Sequence, residues 1–167
     1  MSNIKLLRID DRLIHGQVMT AWVKHVSANK IIIVDNSVSK DKFLKKVMVM
    51  AAPKNIEVEV YGENDIQEIS NNLVQEDNVI ILVKTPEVVE KLRDNKFEFK
   101  NVILGGMGSK PGRNNLFRNI SVSNEEINTF KRLINKGVDI NVQIVPDDKA
   151  INIMDLLKKY EQRVSEK

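Results

Sequence analysis

The chain has 167 residues, 42% hydrophobic and 29% charged, with 26 basic against 23 acidic residues and a formal net charge of +3. This ordinary globular composition suffices for one sizeable core. It excludes disulfide, thiolate and zinc–thiolate chemistry, since there is no cysteine, and its interleaved charges with only 5% aromatics argue against a nucleic-acid face. No apolar run approaches the roughly 20 residues that span a bilayer, and the N-terminus lacks a long apolar signal region, so the expected compartment is the cytoplasm.

The first expected strand is Asn3 to Ile9, with apolar Ile4, Leu6, Leu7 and Ile9, and the first helix is Gly16 to Ser27, with Val18, Trp22 and Val26 on one stripe. Lys30 to Asp35 is nearly continuous apolar sequence, as expected of a parallel strand covered on both faces. Ser39 is the expected cap of an amphipathic helix carrying Phe43, Leu44, Val47 and Ala51 and ending before Pro53. Ile56, Val58 and Val60 alternate as a strand, and Ile66, Ile69 and Leu73 mark the next helix.

Val79 to Val83 is a second fully apolar strand, followed by Thr85-Pro86, a capping hydroxyl with proline at the first helical position. Val102 to Leu104 reads as a strand that runs into GGMGSKPGR, the longest loop and expected to be flexible. Ile120 to Val122 is a short strand, and Ser123 with Glu126 forms a capping box for a helix carrying Ile127, Phe130, Leu133 and Ile134. Gly137 ends that helix, Val138 to Val145 alternates as the last strand, and Ile151, Met154, Leu157 and Tyr160 mark a terminal helix.

Strands separated by helices, with no linker or repeat, predict one α/β domain over residues 1–167: an open, twisted, mostly parallel sheet with helices on both faces. Ligands of such sheets bind beyond the carboxyl ends of the strands. The loop from Asp10 to His15 and the glycine loop from Gly105 both leave such ends, and the two are expected to share one edge.

The first of these loops concentrates ionisable groups in the segment RIDDRLIHGQV, Arg8 to Val18. His15 offers a nitrogen nucleophile that can attack phosphorus without a metal. Arg12 offers a planar fork for phosphate oxygens, and the N–H groups of Gly16 and Gln17 open a helix, where an anion is favoured. Asp10 or Asp11 can hold one ring nitrogen and so select the other. Gly16 is expected to leave room beside the imidazole. Together these suit a histidine that accepts and surrenders a phosphoryl group. The plainer reading makes Arg8, Asp10, Asp11 and Arg12 loop salt bridges and His15 a helix cap.

RIDDRLIHGQV, with Trp22 downstream, resembles the signature of the IIB component of the mannose/fructose/sorbose family of sugar phosphotransferase systems. The likeness continues through the strand at Lys30, the GGM at Gly105, the SVS before the capping box and the MDLL at Met154. The resemblance implies a cytoplasmic phosphocarrier in phosphoenolpyruvate-dependent sugar uptake, peripherally associated with its membrane permease. It implies transfer from a phosphohistidine of a IIA protein onto His15, then to a sugar moved by the IIC and IID components, with Arg12 as the basic neighbour. No cofactor and no metal is implied. Family members follow GGM with an aromatic residue and an arginine, whereas Gly108, Ser109 and Lys110 stand here. Lys110 or Arg113 is then a possible second-loop contact to the phosphoryl group, and a surface turn is the alternative.

Two other classes were weighed. Asp35 follows Gly16 by about 20 residues, as in dinucleotide-binding folds, but one glycine among bulky charged neighbours leaves no approach for a pyrophosphate. A scaffold would require an inert His15. His25, near Trp22 on the first helix, is expected to be a partly buried packing residue and not a metal ligand.

Overall fold

In the computed structural model, which describes residues 4–167, two strands of the main sheet are buried at every position: β2 (Lys30–Val34) and β4 (Val79–Val83). Their apolar runs do not alternate because helices cover both faces. They pair with each other, and β4 also pairs with β1 (Ile4–Asp10). Outside them lie β3 (Glu57–Tyr61) on one side and β5 (Asn101–Gly106), β8 (Asp139–Val142) and β9 (Ile151–Asn152) on the other. The sheet order is β3-β2-β4-β1-β5-β8-β9, parallel except for the last pair. A separate antiparallel hairpin, β6 (Asn114–Phe117) and β7 (Ile120–Val122), follows β5.

The helices divide into two layers. On one face, α1 (Gly16–Val26), α2 (Asn36–Ser39) and α3 (Lys42–Ala51) bury Met19, Trp22, Val23 and Val38, with Leu44 and Met48 packed alongside. On the other, α4 (Ile66–Asn72), α5 (Pro86–Asp94), α6 (Asn124–Asn135) and α7 (Ile153–Ser165) bury Ile69, Val89, Leu92, Phe130, Leu133 and Leu157. The expected open parallel sheet with two helical layers is the architecture observed.

Several local expectations are corrected. Asp41, not Ser39, caps α3 by accepting from the N–H groups of Phe43 and Leu44. Ser39 instead ends α2, which Asp35 caps through the N–H of Val38. Phe43 and Val47 are exposed, so the apolar spacing of α3 does not mark a buried face. Thr85 occupies the cap position of α5 without a side-chain hydrogen bond. The strand expected over Val138 to Val145 is limited to Asp139–Val142, and Ile151 belongs to β9, not to the terminal helix. Strand β6 was not foreseen. The Ser123–Glu126 capping box is present with both of its bonds. Asn3, expected to open the first strand, lies outside the described residues.

Candidate functional site

Alternation along β1 sends Leu7 and Ile9 into one core and Leu6, Arg8 and Asp10 toward α1. Arg8 and Asp10 are thereby both fully buried, on the strand end facing the helix that follows. Asp10 is the hub. Its Oδ2 accepts from Arg8 Nη2 at 3.3 Å and Arg12 Nη2 at 2.9 Å, and lies 3.1 Å from His15 Nε2. Its Oδ1 accepts from the Arg12 backbone N–H at 3.1 Å and from Arg12 Nε at 2.9 Å. Burial pushes the Asp10 carboxyl upward, but the hydrogen bonds from Arg12 and His15 outweigh it and hold the group below its ordinary value.

An ionised carboxylate only accepts hydrogen bonds, so the ring nitrogen it meets must carry the proton. In the neutral imidazole His15 Nε2 is therefore the N–H, and Nδ1 keeps its lone pair. Of the two aspartates considered, Asp10 holds the ring. Asp11 instead accepts from the Gly108 N–H at 2.6 Å.

The turn between strand and helix is built from the same carboxylate, since the Asp10 side chain bonds the Arg12 N–H and its carbonyl accepts from the Leu13 N–H at 2.9 Å. His15 sits at the cap position of α1 in extended backbone. Among the described residues no side chain caps this helix, and its first turn holds no acid, so the N–H groups of Gly16 and Gln17 remain open to an anion. Gly16 has φ +44°, and a Cβ there would meet nothing within 4 Å. The left-handed backbone favours glycine there, and the open space agrees with the room expected beside the imidazole.

Arg8 is the residue the sequence reading undervalued. Its guanidinium donates to the Gln143 carbonyl at 2.9 Å and lies 5.6 Å from the Trp22 ring centroid, while the Trp22 indole N–H donates to the Ile144 carbonyl at 2.8 Å. Burial lowers the Arg8 pKa against the pull of Asp10, and Nε has no partner. This side chain runs over Gly105, where a Cβ would sit 2.0 Å from Nη2. An arginine two residues before an aspartate, inside an apolar strand, was the available signal. Asn119, which donates to the Gly105 carbonyl at 3.2 Å, carried none.

The glycine loop meets the first loop as expected: Asp10 pairs with Gly106 across β1 and β5, and the Asp11 N–H donates to the Gly106 carbonyl. It is not free, however. Arg113 is only 3% exposed, donates to the Gly108 carbonyl at 2.9 Å and forks onto Glu126 at 2.7 Å and 3.0 Å. Its guanidinium is committed, 3.9 Å from Asp11. Lys110 is exposed at the tip. Arg12 is also committed, to Asp10, but stays 46% exposed.

The remaining candidates lie apart. Asp35 caps α2 and pairs with Lys84 at 3.3 Å. His25 is exposed, not partly buried, with its ring edge-on to Trp22. Among the described residues no three His, Cys, Asp or Glu side chains cluster as metal ligands.

The model of the sorbose subfamily of PTS IIB components matches residues 4–167. The chain belongs to that family. It is 32% identical over 157 residues to the sorbose-specific EIIB component of Klebsiella pneumoniae, covering 93% of this chain and 96% of the relative. The crystal structure of the IIBSor domain of the K. pneumoniae sorbose permease superposes with a TM-score of 0.89 at 32% identity, over 93% of this chain and 96% of that one. The mannose-specific EIIAB component of Escherichia coli strain K12 is 32% identical over 160 residues, 95% of this chain but 50% of the relative. The chain thus spans half the length of that IIAB relative. Among the described residues no helix of this IIB chain is long and apolar enough to cross a membrane.

Proposed function

We propose that this IIB chain is a phosphocarrier whose His15 takes a phosphoryl group from a IIA phosphohistidine and passes it to a sugar handled by IIC and IID permease components. The observation that carries the reading is the 3.1 Å contact between His15 Nε2 and the buried, ionised Asp10. It leaves Nδ1 unprotonated, so attack on phosphorus needs no base. In the first step the Nδ1 lone pair forms the new N–P bond while the donor's N–P bond breaks, its electron pair returning to the donor imidazole. The His15 ring then carries positive charge, which Asp10 stabilises through the Nε2–H. In the second step a sugar hydroxyl attacks phosphorus, the bond to Nδ1 breaks, and the hydroxyl proton leaves to the acceptor's surroundings.

Such transfers pass through loose transition states with charge on the equatorial oxygens, so positioned donors supply most of the catalysis. Here those donors are the Gly16 and Gln17 N–H groups and the exposed edge of Arg12. Asp11 holds Gly108 beside the loop. The relatives are named for mannose and sorbose, and we infer a hexose or hexulose acceptor. The reading implies a cytoplasmic protein, peripherally associated with its permease. Incubation with a phosphorylated IIA protein should give an acid-labile, alkali-stable label lost in His15→Ala, with phosphorus–nitrogen coupling at Nδ1. A label that persists without His15 overturns the assignment.

A further inference from the structure

The two helical layers differ in charge. Helices α1 and α3, on one face of the sheet, contain no Asp or Glu, whereas on the other α5, α6 and α7 mix acids with bases and α4 carries Glu68. Lys24 on α1 and Lys42 and Lys46 on α3 are exposed, with Lys40 and Lys54 flanking. The acids at the ends of this layer are occupied: Asp41 caps α3, and Asp35 caps α2 and pairs with Lys84. On edge strand β3, Val58 and Val60 pack toward this layer, so the alternating Glu57 and Glu59 belong to the opposite face.

The same surface is apolar where solvent should leave it polar. Leu44 and Met48 turn α3 inward, which leaves Phe43 72% and Met50 84% exposed, with Val47 and Val49 partly so. Phe43, Val47 and Met50 are spaced i, i+4, i+7 and form one outward stripe about 10 Å long, flanked by Lys42 and Lys46. A helix with bulky apolar residues framed by lysines and free of acids has the pattern of a helix lying on a charged membrane surface.

We propose that the α1–α3 face docks this protein flat onto an anionic lipid surface, with Phe43 and Met50 entering the headgroup layer and Lys42, Lys46 and Lys24 meeting lipid phosphates. A second copy does not fit, because the face would oppose its own lysines. A partner seated over His15 does not cover it either. Both α1 and α3 start at the strand edge that carries His15, and the stripe runs away from that edge down the flank of the sheet. Docking by this flank leaves the His15 edge open at the side. The inference does not depend on phosphoryl chemistry, and its test uses the unphosphorylated chain.

Sedimentation with phosphatidylcholine vesicles, with and without phosphatidylglycerol, reads the binding. We expect binding only to the anionic vesicles, weakened by salt. Each lysine near such a surface is worth about fivefold, so K42E/K46E should weaken partitioning more than about 25-fold. F43S/M50S should weaken it at low and high salt alike, and the reversal K158E/K159E on α7 should leave it unchanged. All six substituted residues are exposed, and thermal melts check that each variant folds. Absence of binding to anionic vesicles, or equal loss in the α7 reversal, overturns the proposal. Capture of an acidic polypeptide such as polyglutamate without vesicle binding overturns it in favour of a protein partner.

Discussion

Arg8 and His15 never touch, yet both end on Oδ2 of Asp10, at 3.3 Å and 3.1 Å. A fully buried arginine thus fixes the acceptor that orients the ring, and the site's geometry is set from inside the sheet. Removing the charge of Asp10 should separate the two effects. Asp10→Asn leaves the Arg8 guanidinium buried without its counter-charge, which should destabilise the fold by about 3–5 kcal/mol. It should also slow phosphoryl transfer by several orders of magnitude, since an amide can turn either its donor or its acceptor to the ring. Urea titration and single-turnover transfer measure the two. A variant equally stable and equally fast would remove Asp10 from the hub.

The same carboxyl sets an acid limit. Its pKa is depressed in the folded state, so its stabilisation is fully present above the unfolded value near 4 and is lost as pH falls through the lower folded value. Urea midpoints should therefore decline more steeply with acid in the parent chain than in Asp10→Asn. Parallel declines would show that other carboxylates govern the acid transition.

Two glycines should respond differently to alanine. At Gly105 the new Cβ lands 2.0 Å from a buried guanidinium, and Gly105→Ala should cost about 1–3 kcal/mol and disturb transfer through Arg8. At Gly16 the space is open and only the φ of +44° resists, so Gly16→Ala should cost about 1–2 kcal/mol. Thermal melts rank the pair, and a harmless Gly105→Ala would show that Arg8 is free to move.

Arg12 should matter to transfer and also to folding, because its guanidinium donates twice to buried Asp10. Arg12→Lys keeps charge but not the fork, and Arg12→Ala keeps neither. Transfer should fall in that order, and Arg12→Ala should also lower the stability to unfolding by about 1–3 kcal/mol, since it strips two charge-assisted bonds from buried Asp10. Identical rates in all three would exclude Arg12 from the phosphoryl oxygens.

The loop after Gly105 should be ordered before any phosphorylation. With Gly108 bonded to Asp11 and Arg113, its amide should be protected from hydrogen exchange in the resting protein. Arg113→Ala strands the buried Glu126, and should release that protection and destabilise by about 3–5 kcal/mol. Lys110→Ala should leave both unchanged. Rapid Gly108 exchange in the parent chain would restore the picture of a mobile turn.

What was legible in the sequence was contiguous. The strands at Ile31 and Val79, the Ser123–Glu126 box and the carboxylate–imidazole loop are each written within a few neighbouring residues. What was hidden depends on distant partners. Ser39 was a plausible cap, but the chain had two helix starts within a few residues, and Asp35 and Asp41 took both. Phe43 and Val47 follow helical spacing as well as any buried pair, and periodicity cannot tell an inner stripe from an outer one. Strands β6 and β9 are short and exist only through pairing. Arg113 resembled a free loop cation because Glu126 already had an evident task in the capping box; its second oxygen contact came from 13 residues upstream. Arg8 resembles a loop salt bridge in sequence because its tunnel exists only where Gly105 lacks a side chain, 97 positions later.

That tunnel ties two positions together. With only 2.0 Å between a Cβ at 105 and the Arg8 guanidinium, a side chain at 105 forces Arg8 out of its place. Shortening residue 8 removes that clash but takes the donor from the Gln143 carbonyl and one of three side-chain partners from Asp10. Within this fold an arginine at 8 and a side chain at 105 therefore compete for one space.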